Sequence, residues 1–552
     1  MASQEALLRQ AILDRPDDNT CRLIYADWLE EQGDPRAEFV RLQCELEPIS
    51  YDDDRRTLMV QRINELENEF GREWKAEDLG EENSEINATF VRGFVGEISV
   101  SAPTLLSRAE EMLGRAPVRV VKLREAKHAM AGLATCPALD RVHRLEFLGR
   151  GRDVLGDEGI GHLTNSPYFH GLRELIVDSQ DIGWSGIKQL SESRLLGQLE
   201  VLDLSNNRVW ANETEFLVRS GQLGNLRTLV LANNPHLGII GLQWIADCRD
   251  LANLKHLDLT NSSDLSSSGF QSLARSGNFP KLQQLTLSHN YVANDGIEAL
   301  AQADFPELVE LDLEECRIGG LGLRSLCRSN SLPNLRYLCL ANNRFGPDQV
   351  RYLREWKGPF PVWLDLSQNP ITDDGTKLLT ECSHFSELRE LYLNHCDLGP
   401  WGVHAIAKSE NMSRLRTLHL SGNHFDDDVL RALGAFPPMA GLRDIALANS
   451  EITDEGLKIL CNSRYVQGVK ALDLMETNVT DEGLKHFVES SFASNLTELA
   501  ISGDNITADG YESIMRSENM NGLLSLKGTG TYPQETVNEW VRQCCARTVH
   551  WE

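Results

Sequence analysis

The sequence predicts an α/β horseshoe solenoid, with parallel strands on the concave side and helices on the convex side, headed by a small all-α N-terminal domain. Three observations carry that expectation. A Leu-x-x-Leu-x-Leu signature recurs about every 27 residues from Val142 to Ile501, as at Leu199/Leu202/Leu204, Leu335/Leu338/Leu340 and Leu415/Leu418/Leu420. Helix-start sequences such as Thr453-Asp-Glu-Gly-Leu457 follow the signature. Residues 1–80 lack the repeat and read as helices instead. A fixed period of this length marks units that bury a core only by stacking. The product is a long ordered surface, so binding is the first expectation and catalysis needs evidence of its own.

From the N-terminus, Leu7, Leu8, Ala11 and Ile12 have helical spacing and Arg15-Pro16-Asp17-Asp18 ends that run. A second helix is expected from Thr20 to Glu31, with Leu23, Ile24 and Trp28 on its apolar face. Asp34 and Pro35 suit the N-cap and first turn of a third helix carrying Phe39, Leu42 and Leu46. A fourth, from about Arg55 to Trp74, places Met59, Ile63, Leu66 and Phe70 on one face. Residues 81–117 read as a linker and N-terminal cap: an acidic stretch, then two short strands around Gly93. The repeats are expected over 118–530, the first of them a degenerate copy at Val118/Val121/Leu123. Tyr532 to Arg547 reads as a closing helix within a C-terminal cap at 531–552.

Numbering each repeat from its first Leu, positions 4 and 6 point inward, and positions 3, 5 and 7 point to the concave face. Position 9 is Asn at 207, 234, 290, 343, 369 and 423, where an inward amide can bond the backbone of neighbouring turns. A Gly recurs early in the helices, at 186, 322, 402, 456 and 483 among others. Gly is a poor helix former, so its recurrence implies that the helix and neighbouring backbone approach too closely for a side chain.

This strand-plus-helix repeat resembles the ribonuclease-inhibitor-like leucine-rich repeats over roughly residues 118–530. The head resembles the bacterial repeat-companion domain at Leu23-Ile-Tyr-Ala-Asp-Trp-Leu-Glu-Glu31, Gly33-Asp-Pro-Arg36 and Glu38-Phe-Val-Arg-Leu-Gln43, with Ala37 where that family favours Gly. That resemblance implies a bacterial origin and architecture, and supplies no activity to carry over.

The net charge is −28, which argues against nucleic acid and anionic membranes as partners. The start lacks a secretory leader and no apolar run reaches 18 residues, so a cytoplasmic protein is expected. The twelve cysteines show no CxxC spacing, and Cys316 and Cys396 at position 9 read as buried free thiols.

In the thirteen repeats from Leu172 onward, positions 3, 5 and 7 hold no Lys or Arg and many acids. The basic residues sit at position 2, expected near the lip of the sheet: Arg173, Arg227, Lys255, Arg336, Arg389, Arg416, Arg443 and Lys470. Position 5 is acidic in alternate repeats, at Glu146, Asp203, Asp258, Asp312, Asp365 and Asp473, with His419 as the exception. Skipping a strand places these carboxylates roughly 10 Å apart, which eases their repulsion. They are either a negative trough for a basic protein or a tolerated residue of repeat duplication. Tyr337, Trp363 and Tyr392 fall on successive repeats beside Asp365, as an interface patch or as shielding of the sheet. Glu314 adds a further concave acid.

No P-loop, Gly-x-Gly-x-x-Gly or His-Glu-x-x-His is present, and His395, His419, His424 and Asp397 make a poor metal set. The sequence reading is therefore a non-enzymatic scaffold with no cofactor and no metal. Asp203, Asp258, Asp312, Glu314, Tyr337, Trp363, Asp365, Tyr392, His419 and Asp473 are its expected contacts to a basic protein partner. Two alternatives stay open: regulation of a GTPase, and a ligase-type enzyme using Cys21 or Cys44.

Overall fold

The computed structural model describes residues 4–49, 54–80, 85–262, 266–503, 505–528 and 548–551. The chain divides into two units, Met1–Leu257 and Asp258–Glu552.

The first unit opens with four helices, α1 (Gln4–Asp14), α2 (Asn19–Glu31), α3 (Arg36–Leu46) and α4 (Asp54–Leu79). Asp18 caps α2 by accepting from Thr20 N at 2.8 Å. Asp34 does the same at α3 by accepting from Arg36 N at 2.8 Å, with Pro35 at the N-cap. The expected face of α2 needs correction. Leu23 and Ile24 are exposed, and the buried residues are Arg22, Tyr25, Ala26 and Leu29. Arg22 goes inward because its guanidinium has carbonyls to bond, donating to Pro16 O at 2.8 Å and Arg92 O at 3.1 Å. Leu7 is also exposed, whereas Ile12 is buried.

Strands β1 (Asn87–Val91) and β2 (Phe94–Ser101) form the expected antiparallel hairpin. Arg92 and Gly93 turn it with φ of +53° and +86°, the left-handed pair that matches the twist of hairpin strands. The solenoid ladder begins here. After helix α5 (Ala102–Arg115), strand β3 (Val120–Arg124) pairs parallel to β2 with Ile98 opposite Val121. The ladder continues through Arg144–Phe147, Glu174–Ile176, Val201–Asp203 and Thr228–Val230. The head is joined to this sheet by its own core, in which Phe94 packs with Ile12, Tyr25, Ala26, Leu29, Ala37, Val40 and Cys44.

In the second unit parallel strands pair in order from Gln284–Thr286 to Ser525–Gly528, each position-4 residue facing the next, as Leu338, Leu364, Leu391 and Leu418 do. Thr548–Trp551 adds a further parallel strand. The expected closing helix at 532–547 lies outside the described residues, and 548–551, placed with it in the cap, is strand.

Three hydrogen-bonding devices repeat with the period. At position 9, Asn343 Oδ1 accepts from Cys316 N and Ile318 N of the preceding repeat at 3.1 and 3.0 Å. Its Nδ2 donates to Leu313 O at 2.8 Å and Ala341 O at 3.0 Å. Cys316 and Cys396 fill the same place as free thiols, their Sγ donating to Leu287 O at 3.1 Å and Leu366 O at 3.2 Å. At the helix starts, an acid of one repeat caps the next. Asp454 accepts from Thr480 N at 2.8 Å and Thr480 Oγ1 at 2.7 Å, and Asp481 bonds Thr507 likewise. This explains the Gly at 186, 402, 456, 483 and 510, whereas at 159, 241, 296 and 375 the nearest atoms are those of an apolar side chain four residues earlier. A Cβ on Gly483 would lie 2.1 Å from Asp454 Oδ1, so the close neighbour is a capping side chain and not the backbone expected.

Position 8 is the third device. Six residues there, Asn206, Asn342, Gln368, His395, Asn449 and Glu476, have φ between +52° and +56°. This left-handed turn carries the chain off the strand, which corrects the expectation for position 7. Ser205, Ala341, Ser367, Ala448 and Ser502 are tucked in and buried there, while Glu314, Asn394 and Met475 remain part-exposed.

Candidate functional site: an acidic cavity on the open sheet face

The second unit carries a cavity of about 610 Å³ on the face of its strands away from the helices. Its floor comes from small residues. Positions 3 and 5 are Ala446, Ala471 and Ala500 on successive strands, where repeats before them carry Trp363, Tyr392 and His419. Carboxylates stand around that floor: Glu314, Asp365, Asp444, Asp473 and Glu498.

Four of the expected contact residues meet here, namely Glu314, Asp365, His419 and Asp473. Trp363 and Tyr392 join through rings, with centroids 5.1 Å apart and Tyr392 then 4.7 Å from His419. Tyr337 lies opposite Trp363 in the ladder and is 40% exposed. Asp312 sits two strands before Asp365 and does not line the cavity. Asp258, the first residue of this unit, is not at the cavity either, and Asp203 belongs to the other unit.

The position-5 aspartates have a local role that their spacing did not reveal. Asp365 Oδ1 accepts from Ser367 N at 2.7 Å, Asp312 from Glu314 N at 3.0 Å and Asp473 from Met475 N at 3.0 Å. Asp203 and Asp258 do the same for Ser205 N and Thr260 N, both at 2.8 Å. Each ends its strand by satisfying the N–H two residues on. Where position 5 is Tyr392, His419 or Ala446, the preceding repeat supplies the acceptor. Asn394 N bonds Ser367 Oγ at 3.2 Å, Ser421 N bonds Asn394 Oδ1 at 2.8 Å and Ala448 N bonds Ser421 Oγ at 3.1 Å.

Burial holds the Asp365 carboxyl above the usual aspartate range; hydrogen bonds from Ser367 oppose this and Asp312 adds to it. Burial likewise raises Asp473, against the attraction of His419 and Lys527. Glu314 is raised by burial and by Asp312 and Asp365, with His289 opposing. The Tyr392 hydroxyl donates to Glu390 at 3.0 Å, and burial followed by that carboxylate pushes its ionisation well up. His419 is committed to Asp444, 3.2 Å away. Among the described residues no group of three His, Cys, Asp or Glu converges to hold a metal ion. In the head, burial raises the Cys21 thiol with Asp18 adding to it, and burial raises Cys44 against the opposing charges of Arg22 and Arg92, which disfavours the thiolate a nucleophile needs.

Asp444 and Glu498 belong to the same cavity but not to the expected contacts. The alanines at 446, 471 and 500 were the available signal, because small residues leave a hollow where acids on the same strands stand up. Lys527 was hidden for another reason. Its strand follows Leu523-x-x-Leu526 but ends on Gly528 at position 6, so the signature fails although the strand forms. Lys527 brings a cation to the cavity at the end of a long acidic run. In the first unit, before Leu172, the open face also carries cations: Lys122 pairs with Glu97 at 2.6 Å and Arg144 with Glu146 at 3.0 Å.

The fold is an α/β leucine-rich-repeat solenoid. The Leucine Rich repeat family model matches residues 307–327, 412–434 and 469–488. The chain is 31% identical over 142 residues to NACHT, LRR and PYD domains-containing protein 12 of Mus musculus, covering 24% of this chain and 13% of that protein. It is 30% identical over 156 residues to protein 5 of the same description from Homo sapiens, covering 22% and 13%. The chain thus spans about an eighth of the length of these curated relatives. The bacterial origin implied by the head finds no support in them.

Among solved structures, an internalin from Listeria monocytogenes has a TM-score of 0.36 at 19% identity, over 70% of this chain and 87% of its own. The Rad7 and Elc1 complex of yeast gives 0.40 at 14%, over 88% and 96%. No helix among the described residues is long and apolar enough to cross a membrane.

Proposed function

We propose that this chain is a non-enzymatic protein-interaction scaffold that receives a basic surface of a partner protein in the acidic cavity of its second unit. The observation that carries this reading is the cavity itself: five carboxylates around an alanine floor, with His419 in its lining and the Tyr392 and Trp363 rings packed behind it. A hollow of like charge beside part-exposed rings suits an anchoring Lys or Arg, chiefly through carboxylate contacts. Repeat proteins use such extended faces for binding because the stacked backbone holds side chains in place before the partner arrives.

Partner capture on the full chain at low and high salt tests the proposal, alongside Asp444→Lys/Glu498→Lys. These two acids are chosen because neither ends its strand as Asp365 and Asp473 do. Retention is expected to fall in high salt and in the double variant. Acidic partners, or retention equal in all conditions, would overturn the electrostatic reading. A pH series adds a second check. Glu314, Asp365 and Asp473 are held above their ordinary values, so they take up protons earlier than free carboxyls as pH falls. The cavity loses negative charge first, and binding of a cationic partner should weaken on acidification before exposed acids titrate.

A further inference from the structure

The basic row at position 2 takes no part in the cavity. In the second unit it runs Arg336, Val362, Arg389, Arg416, Arg443 and Lys470 on successive repeats, with no acid among them. The backbone fixes this alignment. Arg416 N donates to Arg389 O at 2.7 Å, Arg443 N to Arg416 O at 2.8 Å and Lys470 N to Arg443 O at 2.7 Å. At roughly 4.8 Å per parallel strand, the last four stand in one line about 14 Å long. Like charges side by side on neighbouring strands repel.

Several other arginines of the unit have acidic partners: Arg324 and Arg328 with Glu355, Arg354 with Glu381, Arg414 with Glu387, Arg516 with Glu512. Arg336, Arg389 and Arg416 are exposed and form no ion pair among the described residues. Arg443 lies back on the strand start, donating to Leu442 O at 2.9 Å. The chain holds 82 acidic residues against 54 Lys and Arg, so acids to pair these cations are not scarce. Arg336, Arg389 and Arg416 are thus aligned in the row, uncompensated by ion pairs among the described residues and open to solvent.

We propose that this row is a docking ridge for an extended acidic segment of a partner protein, lying across the repeats beside the acidic cavity. Arginine forks match carboxylates with two parallel hydrogen bonds, which a flexible acidic peptide can offer in succession. A nucleic acid fits less well. Glu390 and Asp444 directly follow Arg389 and Arg443, and the net charge of −28 repels a continuous phosphate backbone. A polypeptide can set carboxylates over the ridge and other groups toward the cavity. The inference rests on the scaffold reading but not on the charge of whatever fills the cavity.

Fluorescence anisotropy on the full chain tests it, with oligoglutamate, oligolysine and oligothymidylate probes at low salt. Oligoglutamate should bind the native chain, and Arg389→Glu/Arg416→Glu should weaken it at least about tenfold, as reversal of interface charges does. Arg389→Gln/Arg416→Gln gives the same direction should the reversed pair disturb folding. Asp444→Lys/Glu498→Lys should not weaken it. No oligoglutamate binding, binding insensitive to both arginine pairs, or tighter binding of oligothymidylate would overturn the ridge. Oligolysine reads the cavity separately: its failure with oligoglutamate retained sinks the cavity reading and leaves the ridge standing.

Discussion

Two side chains of the second unit show how much of its surface chemistry is also structural. Asp365 ends its strand by accepting from Ser367 N, and burial raises its pKa. Because the folded value lies above the unfolded one, its ionisation opposes folding, and stability falls as pH rises through the folded value. Asp365→Asn keeps an acceptor oxygen and removes the charge. Its melting temperature should match or exceed that of the native chain at neutral pH, with the difference closing as pH falls toward the ordinary aspartate value. Asp365→Ala removes the acceptor and should cost about 1–3 kcal/mol in denaturant titration. Asn369, fully buried, accepts from Asn343 N and Phe345 N, both at 2.9 Å. Asn369→Ala leaves both donors unpaired in a dry core and should cost more, about 2–4 kcal/mol. The ladder was legible in the sequence because position 9 is polar amid leucines. The strand-end role of the aspartates was not, because an acid that alternates along an open face looks the same whether it bonds the backbone or a partner.

At the level of the helix, one residue type carries opposite meanings. Gly114 in α5 has no atom within 4 Å of the place a Cβ would take, so Gly114→Ala should stabilise by up to about 1 kcal/mol through helix propensity. Gly483 sits in Asp481–Phe487, where Asp454 caps the helix from the previous repeat. Gly483→Ala would push that carboxylate off Thr480 and should destabilise despite alanine's better propensity. Thermal melts of the two variants check the contrast: a gain for both would mean the capping contact is not constraining. The recurrence of Gly, and the close neighbour it implies, could be read from the sequence alone. The neighbour itself could not be named, because the acid lies a full repeat away and meets the glycine only when two helices stack. Helix α2 failed for a related reason, since hydrophobicity placed Leu23 and Ile24 inward while Arg22 had buried carbonyls waiting for it.

Across whole units, the head is held by charge as well as by apolar packing. Asp78 is fully buried and accepts from Arg36 Nη2 at 2.7 Å, Arg9 Nη2 at 2.7 Å and Val95 N at 2.9 Å. Arg36 also donates to Gly93 O, and its guanidinium lies 4.7 Å from the centre of the Phe94 ring. This hub ties α1, α3 and α4 to the hairpin that starts the ladder. Asp78→Ala takes the buried partner from both arginines, leaving Arg36 only the half-exposed Glu77 at 3.0 Å and Arg9 only Glu5 at 3.8 Å, and should cost about 3–5 kcal/mol. Hydrogen exchange should rise in the head and in 87–101 while the described repeats from 266 to 503 keep their protection, because stacked repeats are stabilised by their nearest neighbours. Equal loss in both units would contradict that. By itself the sequence determined the period, the strand and helix of each repeat, and the separation of basic position 2 from acidic positions 3 and 5, since these follow from which side chains alternate along a strand. Only the tertiary structure decided where acids gather around a hollow, which of them are spent on backbone, and how the head joins the ladder. Those depend on small residues side by side on different strands and on polar contacts between distant segments, which a local pattern does not record.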